Sequence, residues 1–140
     1  MQSLTFERTL TELDHVRLTN LIQRNAHGAL PASLTQSVAE LLDAADIVPS
    51  RQVSPDVVTM YSQILICDLA TGERNTVTVT YPADAEPGAG FVSVLSPLGR
   101  SVLGLPVGAV AQWVTPAGEE KQAEILALLF QPEASGDYTI

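Results

Sequence analysis

The chain has 140 residues, 46% of them hydrophobic and 16% charged, which supplies a core for one domain, or for one domain plus a small appendage, and excludes wholesale disorder. Sixteen acids against seven bases give a net charge of −9. That excludes the basic footprint that phosphate neutralisation requires, so direct nucleic-acid binding is not expected, and the acidic surface suits a basic protein partner instead.

Residues 1–10 lack a basic stretch followed by an apolar one, so no signal peptide is read there. No apolar run approaches the ~20 residues that cross a bilayer. The expectation is therefore a cytoplasmic protein that does not engage membranes, with a monomer as the starting assumption. A first helix is predicted over Thr11–Arg24, capped by Thr9 with Glu12 or by Thr11 with Asp14. Its apolar stripe is Leu10, Leu13, Leu18, Leu21 and Ile22, interrupted by Asp14 and Arg17. Asn25 to Ala32 reads as a turn. A second helix carries Leu34, Val38, Leu41, Leu42 and Ala45 on one face, with Ser33 and Gln36 as its capping box and Val48-Pro49 as its end. Together they form a short antiparallel helical hairpin, each arm about 20 Å long.

After Pro49 the pattern turns to β. Tyr61–Leu69 is a strand, Ala70–Glu73 a turn, and Thr76–Tyr81 alternates as a strand with one buried face. Ala83–Gly90 is a Pro- and Gly-rich loop, followed by a strand over Phe91–Leu95. Ser96 then caps a short helix with Pro97 in its first position and Gly104 just past its end. Ala109–Val114 is a strand and Thr115–Gly118 a turn. Glu120–Phe130 has helical composition, yet it follows a hairpin turn, and the residues alone leave helix and strand open. Residues from Gln131 on read as an extended or loose terminus.

Catalytic motifs are sparse. His15 and His27 have no second ligand at metal spacing, and the nucleophile-elbow and phosphate-loop signatures are absent. Lys121 is the single lysine, and Cys67, the single cysteine, reads as a small buried hydrophobe. Glu40, Asp43 and Asp46 lie along one row and read as a solvated helix face, and Glu119-Glu120 likewise as solvation. Trp113 is either core or a contact anchor. Arg100 is the one charge between Phe91 and Gly118, and it either pairs inside the domain or meets a partner. No catalytic residue, metal or cofactor is expected.

The run Val92–Gly104, a strand leading into Ser96-Pro97-Leu98-Gly99-Arg100, resembles the C-terminal domain of the bacterial Gre transcript-cleavage factors, and Trp113–Glu119 is similar to their last hairpin. Asp56–Ser62, Tyr81-Pro82-Ala83 and the tail Gln131–Tyr138 resemble the corresponding segments of the Rnk family, the regulators of nucleoside diphosphate kinase, itself related to Gre factors. The resemblance implies an α+β protein: a short N-terminal antiparallel helical hairpin (a coiled coil) over 1–48, a linker over 49–56, and over 57–140 an FKBP-like antiparallel β-sheet domain with one short helix. It implies that Glu120–Phe130 is a strand and Asp56–Ser62 the domain's first. It also implies a non-enzymatic transcription regulator that binds RNA polymerase near the secondary channel, with Ser96, Pro97 and Arg100 as the partner-binding residues. Gre factors carry acids at the hairpin tip that help hold a catalytic Mg²⁺, whereas here the tip, Gln23 to Ser33, has neither Asp nor Glu. Transcript-cleavage stimulation is therefore not expected. A regulator of nucleoside diphosphate kinase acting through another protein is the alternative. A prolyl isomerase ranks far lower, because no aromatic pocket is evident in the sequence.

Overall fold

A computed structural model describes residues 8–24 and 31–137. The described residues open with a short strand, β1 (Thr9–Thr11), and two helices, α1 (Glu12–Arg24) and α2 (Ala32–Ala44), that pack against each other. A second short strand, β2 (Asp46–Val48), pairs in parallel with β1. Thr11 is the residue that caps α1: its hydroxyl oxygen accepts the Asp14 N–H at 3.1 Å. The cap expected for α2 is not formed. The helix starts one residue before Ser33, behind Pro31, and Ser33 lies inside the first turn, where its carbonyl accepts the Ser37 hydroxyl. Nor does α2 run to Val48. It stops at Ala44 because Ala45 turns extended and the chain enters β2.

The remainder folds into a five-stranded sheet and one short helix. The strands are β3 (Gln63–Asp68), β4 (Arg74–Thr80), β5 (Phe91–Ser93), β6 (Val110–Val114) and β7 (Glu120–Phe130), in the order β5-β4-β3-β7-β6. The helix is α3 (Pro97–Val102). The sheet is mixed rather than antiparallel, because β5 runs parallel to β4. The loop between them makes 3-10 turns at Pro82–Asp84 and Pro87–Ala89, which wind the chain back so that Phe91 lies beside Thr78 in the last half of β4. Glu120–Phe130 is a strand against its helical composition. It lies between β3 and β6 and bonds to both, with its register shifted twice along β3. Packing against two neighbours outweighs a propensity worth at most tenths of a kcal/mol per residue.

The period-two alternation sends Ile64, Ile66, Val77, Val79, Ala123 and Ile125 to one face, where they meet Val102 and Leu103. The hairpin does not stand apart from this core, since Leu10, Leu18, Val38 and Leu42 belong to the same buried cluster. Each such side chain stabilises the fold by roughly 1.5–3 kcal/mol when fully buried. Two further expectations are corrected. Asp56–Ser62 is not a strand: Val57 makes a single bridge to Pro106, and Tyr61 sits at φ 64, a left-handed conformation that turns the chain into β3. The described start of the terminus is not loose either, because Gln131, Pro132 and Glu133 are buried. The Gln131 amide donates to the Ser54 and Val57 carbonyls, and Thr59 donates to Glu133 Oε1 at 2.7 Å.

Candidate functional site

The short helix forms where the sequence places it. Ser96 is extended at φ −70, ψ 156, and its Oγ accepts the Gly99 N–H at 3.1 Å while donating to the Ser93 carbonyl at 2.6 Å. Pro97 supplies a preset φ at the first position, where a missing N–H costs nothing. Gly99 has no room for a side chain, as a Cβ there would lie 2.0 Å from the Ser93 carbonyl oxygen. Gly104 follows the helix with the expected positive φ, 82°, and gives its N–H to the Val58 carbonyl at 2.8 Å rather than to the helix.

Of the two readings of Arg100, the internal one is seen. Its Nη1 donates to the Leu95 carbonyl at 2.7 Å, and partial burial lowers its pKa. The guanidinium thus braces the strand–helix junction from beside Ser96 and Pro97. Trp113 is half-buried and forms part of a groove of about 290 Å³ at the open end of α3, with Val92, Ser96, Pro97, Leu98 and Pro116 as neighbours. A second cleft, of about 600 Å³, shares Val92, Leu98 and Trp113 and extends along the sheet to the Asp68–Lys121 ion pair, 3.8 Å long. The two meet at Trp113 in one trough, apolar at the α3 end and polar toward Asp68, Glu73, Asn75 and Lys121. Glu40 and Asp43 are exposed on α2 as a solvated face, whereas Asp46, also exposed, lies past the helix as the first residue of β2 and does not share that face. Cys67 is half-buried rather than buried, and its thiol lies 3.8 Å from the Asp68 carbonyl. His15 sits half-exposed on α1, and His27 lies outside the described residues. Among the described residues no group of His, Cys, Asp and Glu is placed to hold a metal, and no helix is long and apolar enough to cross a membrane.

Two residues that matter were missed. Asp14 is fully buried on α1, and its Oδ2 accepts the Met60 N–H at 3.1 Å, while Oδ1 has no hydrogen-bond partner among the described residues. Burial raises its pKa to about 7; the Met60 N–H opposes that shift and the charge of Glu133 adds to it. The signal was in the sequence, for Asp14 lies four residues from both Leu10 and Leu18 on the apolar stripe. Arg8 is the other. Its Nη1 donates to the carbonyls of Arg100, Ser101 and Leu103, at the closed end of α3. Nothing local in the sequence points from residue 8 to residues 100–103. Tyr61 and Tyr81 pair with ring centroids 5.7 Å apart, and the Tyr61 hydroxyl donates to Asp84.

Comparison with known proteins fits this geometry. The profile of the family described as "Transcription elongation factor, GreA/GreB, C-term" matches residues 52–129, a span that contains α3 and the whole trough. The chain belongs to the GreA/GreB family. Within it, the "Regulator of nucleoside diphosphate kinase" of Escherichia coli is 34% identical over 131 residues, covering 94% of this chain and 95% of that protein, so the likeness to Rnk runs nearly end to end. The transcription elongation factor GreA of Geobacillus kaustophilus is 33% identical over 91 residues, which span 65% of this chain and 58% of that factor. A solved GreA/GreB structure from Nitrosomonas europaea superposes with a TM-score of 0.72 at 25% identity, over 90% of this chain and all of that one.

Proposed function

We propose that the protein is a non-enzymatic, cytoplasmic regulator of transcription that binds RNA polymerase near the secondary channel and does not stimulate transcript cleavage. The observation that carries this reading is the GreA/GreB match over 52–129, which includes the capped helix and its groove. The binding surface is the open end of α3. There Ser96 satisfies the backbone, Pro97 and Leu98 present apolar surface beside Trp113, and Arg100 holds the junction from behind. In this reading the sheet and α3 form an FKBP-like domain, and α1 and α2 a short coiled-coil arm. The arm occludes the channel entrance but brings no carboxylate to the active site, since Gln23 to Ser33 contains none.

Transcript cleavage in stalled elongation complexes tests this directly. Added alone, the protein should leave the cleavage rate at its intrinsic value. Added with a GreA factor, it should suppress the stimulated rate. Stimulation by the protein itself, or no effect on GreA, contradicts the reading.

The name of the Escherichia coli relative favours a second reading, in which the protein controls the level or activity of nucleoside diphosphate kinase through a protein partner. Kinase assays with both purified proteins separate direct modulation from transcriptional control.

A further inference from the structure

α3 is only six residues long, and its two ends meet different parts of the molecule. The open end faces the groove. At the closed end the carbonyl oxygens of Arg100, Ser101 and Leu103 converge on Arg8 Nη1 at 3.1, 3.2 and 2.7 Å. A cation is the favoured partner for the orphan carbonyls of a helix C-terminus. This one is half-buried, and that burial lowers its pKa.

The backbone around Arg8 extends the link. Thr9 N–H donates to the Gly104 carbonyl at 3.0 Å, and Asp46 N–H donates to the Arg8 carbonyl at 2.8 Å. Gly104 makes the approach possible, because a Cβ there would lie 3.1 Å from both Arg8 Cβ and the Thr9 carbonyl oxygen. From Arg8 the chain reaches α1 at Glu12 without a glycine, and Asp46 stands two residues after the end of α2. One residue therefore touches α3 with its side chain and the exit of α2 with its carbonyl, and its own chain runs directly into α1.

From this juxtaposition we infer that Arg8 is the positioning residue that fixes the direction of the helical arm relative to α3. Its use rests on the polymerase reading, since an arm of fixed direction is aimed by whatever holds the other end of α3. The mount itself exists in the free protein and is tested there. The competing holds are the Asp14–Met60 bond and the shared apolar core, which grip α1 and α2 from the sheet side.

The test is a distance distribution by pulsed electron paramagnetic resonance. Spin labels are placed at Ser37→Cys on exposed α2 and Thr71→Cys in the exposed β3–β4 turn, with Cys67→Ser removing the native thiol. With Arg8 present, one narrow distance is expected. Arg8→Met should broaden it roughly twofold, and Arg8→Lys, which keeps three donors on a cation, should restore most of the sharpness. Should Arg8→Met not fold, as judged by the emission of the single Trp113, Arg8→Gln carries the same expectation of broadening. Ser96→Ala, which weakens the opposite end of α3, should leave the distribution unchanged. A distribution as narrow in Arg8→Met or Arg8→Gln as in the parent overturns the inference. So does an Arg8→Lys distribution as broad as that of Arg8→Met, which would mean that packing and not donation does the holding.

Discussion

The two ends of α3 solve the same problem in opposite ways. Both leave backbone groups without intrahelical partners. At the N-terminal end the solution is local: Ser96 bonds Gly99 and Ser93, and Arg100 bonds Leu95. With the polar groups satisfied from within, the surface left beside Trp113 is apolar and open. At the C-terminal end the solution is remote, as a half-buried arginine more than ninety residues earlier in the chain covers the carbonyls. An end that satisfies itself is free to meet a partner. An end satisfied from elsewhere is committed to the molecule's own architecture.

The sharpest way to probe the committed side is through Asp14, which anchors the same arm by a second route. Its folded pKa of about 7 lies above the ordinary value of 3.8, so the folded state binds the proton more tightly than the unfolded chain does. The cost of ionising it is absent below the unfolded pKa, grows from about pH 4 to 7, and is fully present above 7. Stability measured by urea unfolding should therefore fall between pH 5 and pH 8. Asp14→Asn should remove that slope and raise stability at pH 8 by about 2–4 kcal/mol. No slope would mean that Asp14 ionises at no cost, and a slope of the opposite sign that the fold favours its ionised form.

Arg8→Met strips a cation from three carbonyls and should lower stability by about 2 kcal/mol in the same assay, since hydrogen bonds to charged groups are the stronger kind. On the open end, Leu98→Asp and Pro97→Gly should each weaken polymerase binding about tenfold, read by surface plasmon resonance on immobilised core enzyme, with circular dichroism unchanged. Ser96→Ala has the smallest expected effect, about 1 kcal/mol of stability from a lost cap. If it cost more than Arg8→Met, the assignment of the two ends would be reversed.

The same contrast explains what could be read from the sequence. The self-satisfied end was legible because Ser96 and Pro97 act within one turn of the helix. The amphipathic helices were legible for the same reason, through Leu34, Val38, Leu41 and Leu42. The β1–β2 pair was not, as three-residue strands carry too little periodicity and owe their form to Arg8 and Gly104. The start of α2 was misplaced because Pro31, suited to the position before a helix, competed with Ser33. Glu120–Phe130 was ambiguous because its Glu, Lys, Gln, Ala and Leu content favours a helix, while pairing with β3 and β6 on its two sides makes it a strand. The buried tail escaped notice because Gln131 and Glu133 look solvent-seeking until the Ser54 and Val57 carbonyls and the Thr59 hydroxyl are seen to take them in. Asp14 stood in the apolar stripe and was read as an interruption, when its position marked a buried acid.

One measurement bears on the central claim most directly. Fluorescently labelled protein is titrated with core RNA polymerase, and the bound complex is then challenged with a GreA factor. Saturable binding is expected, displaced competitively by the GreA factor and weakened about tenfold by Leu98→Asp. Saturable binding unaffected by both would place the contact away from the open end of α3, and no binding at micromolar polymerase would contradict the account altogether.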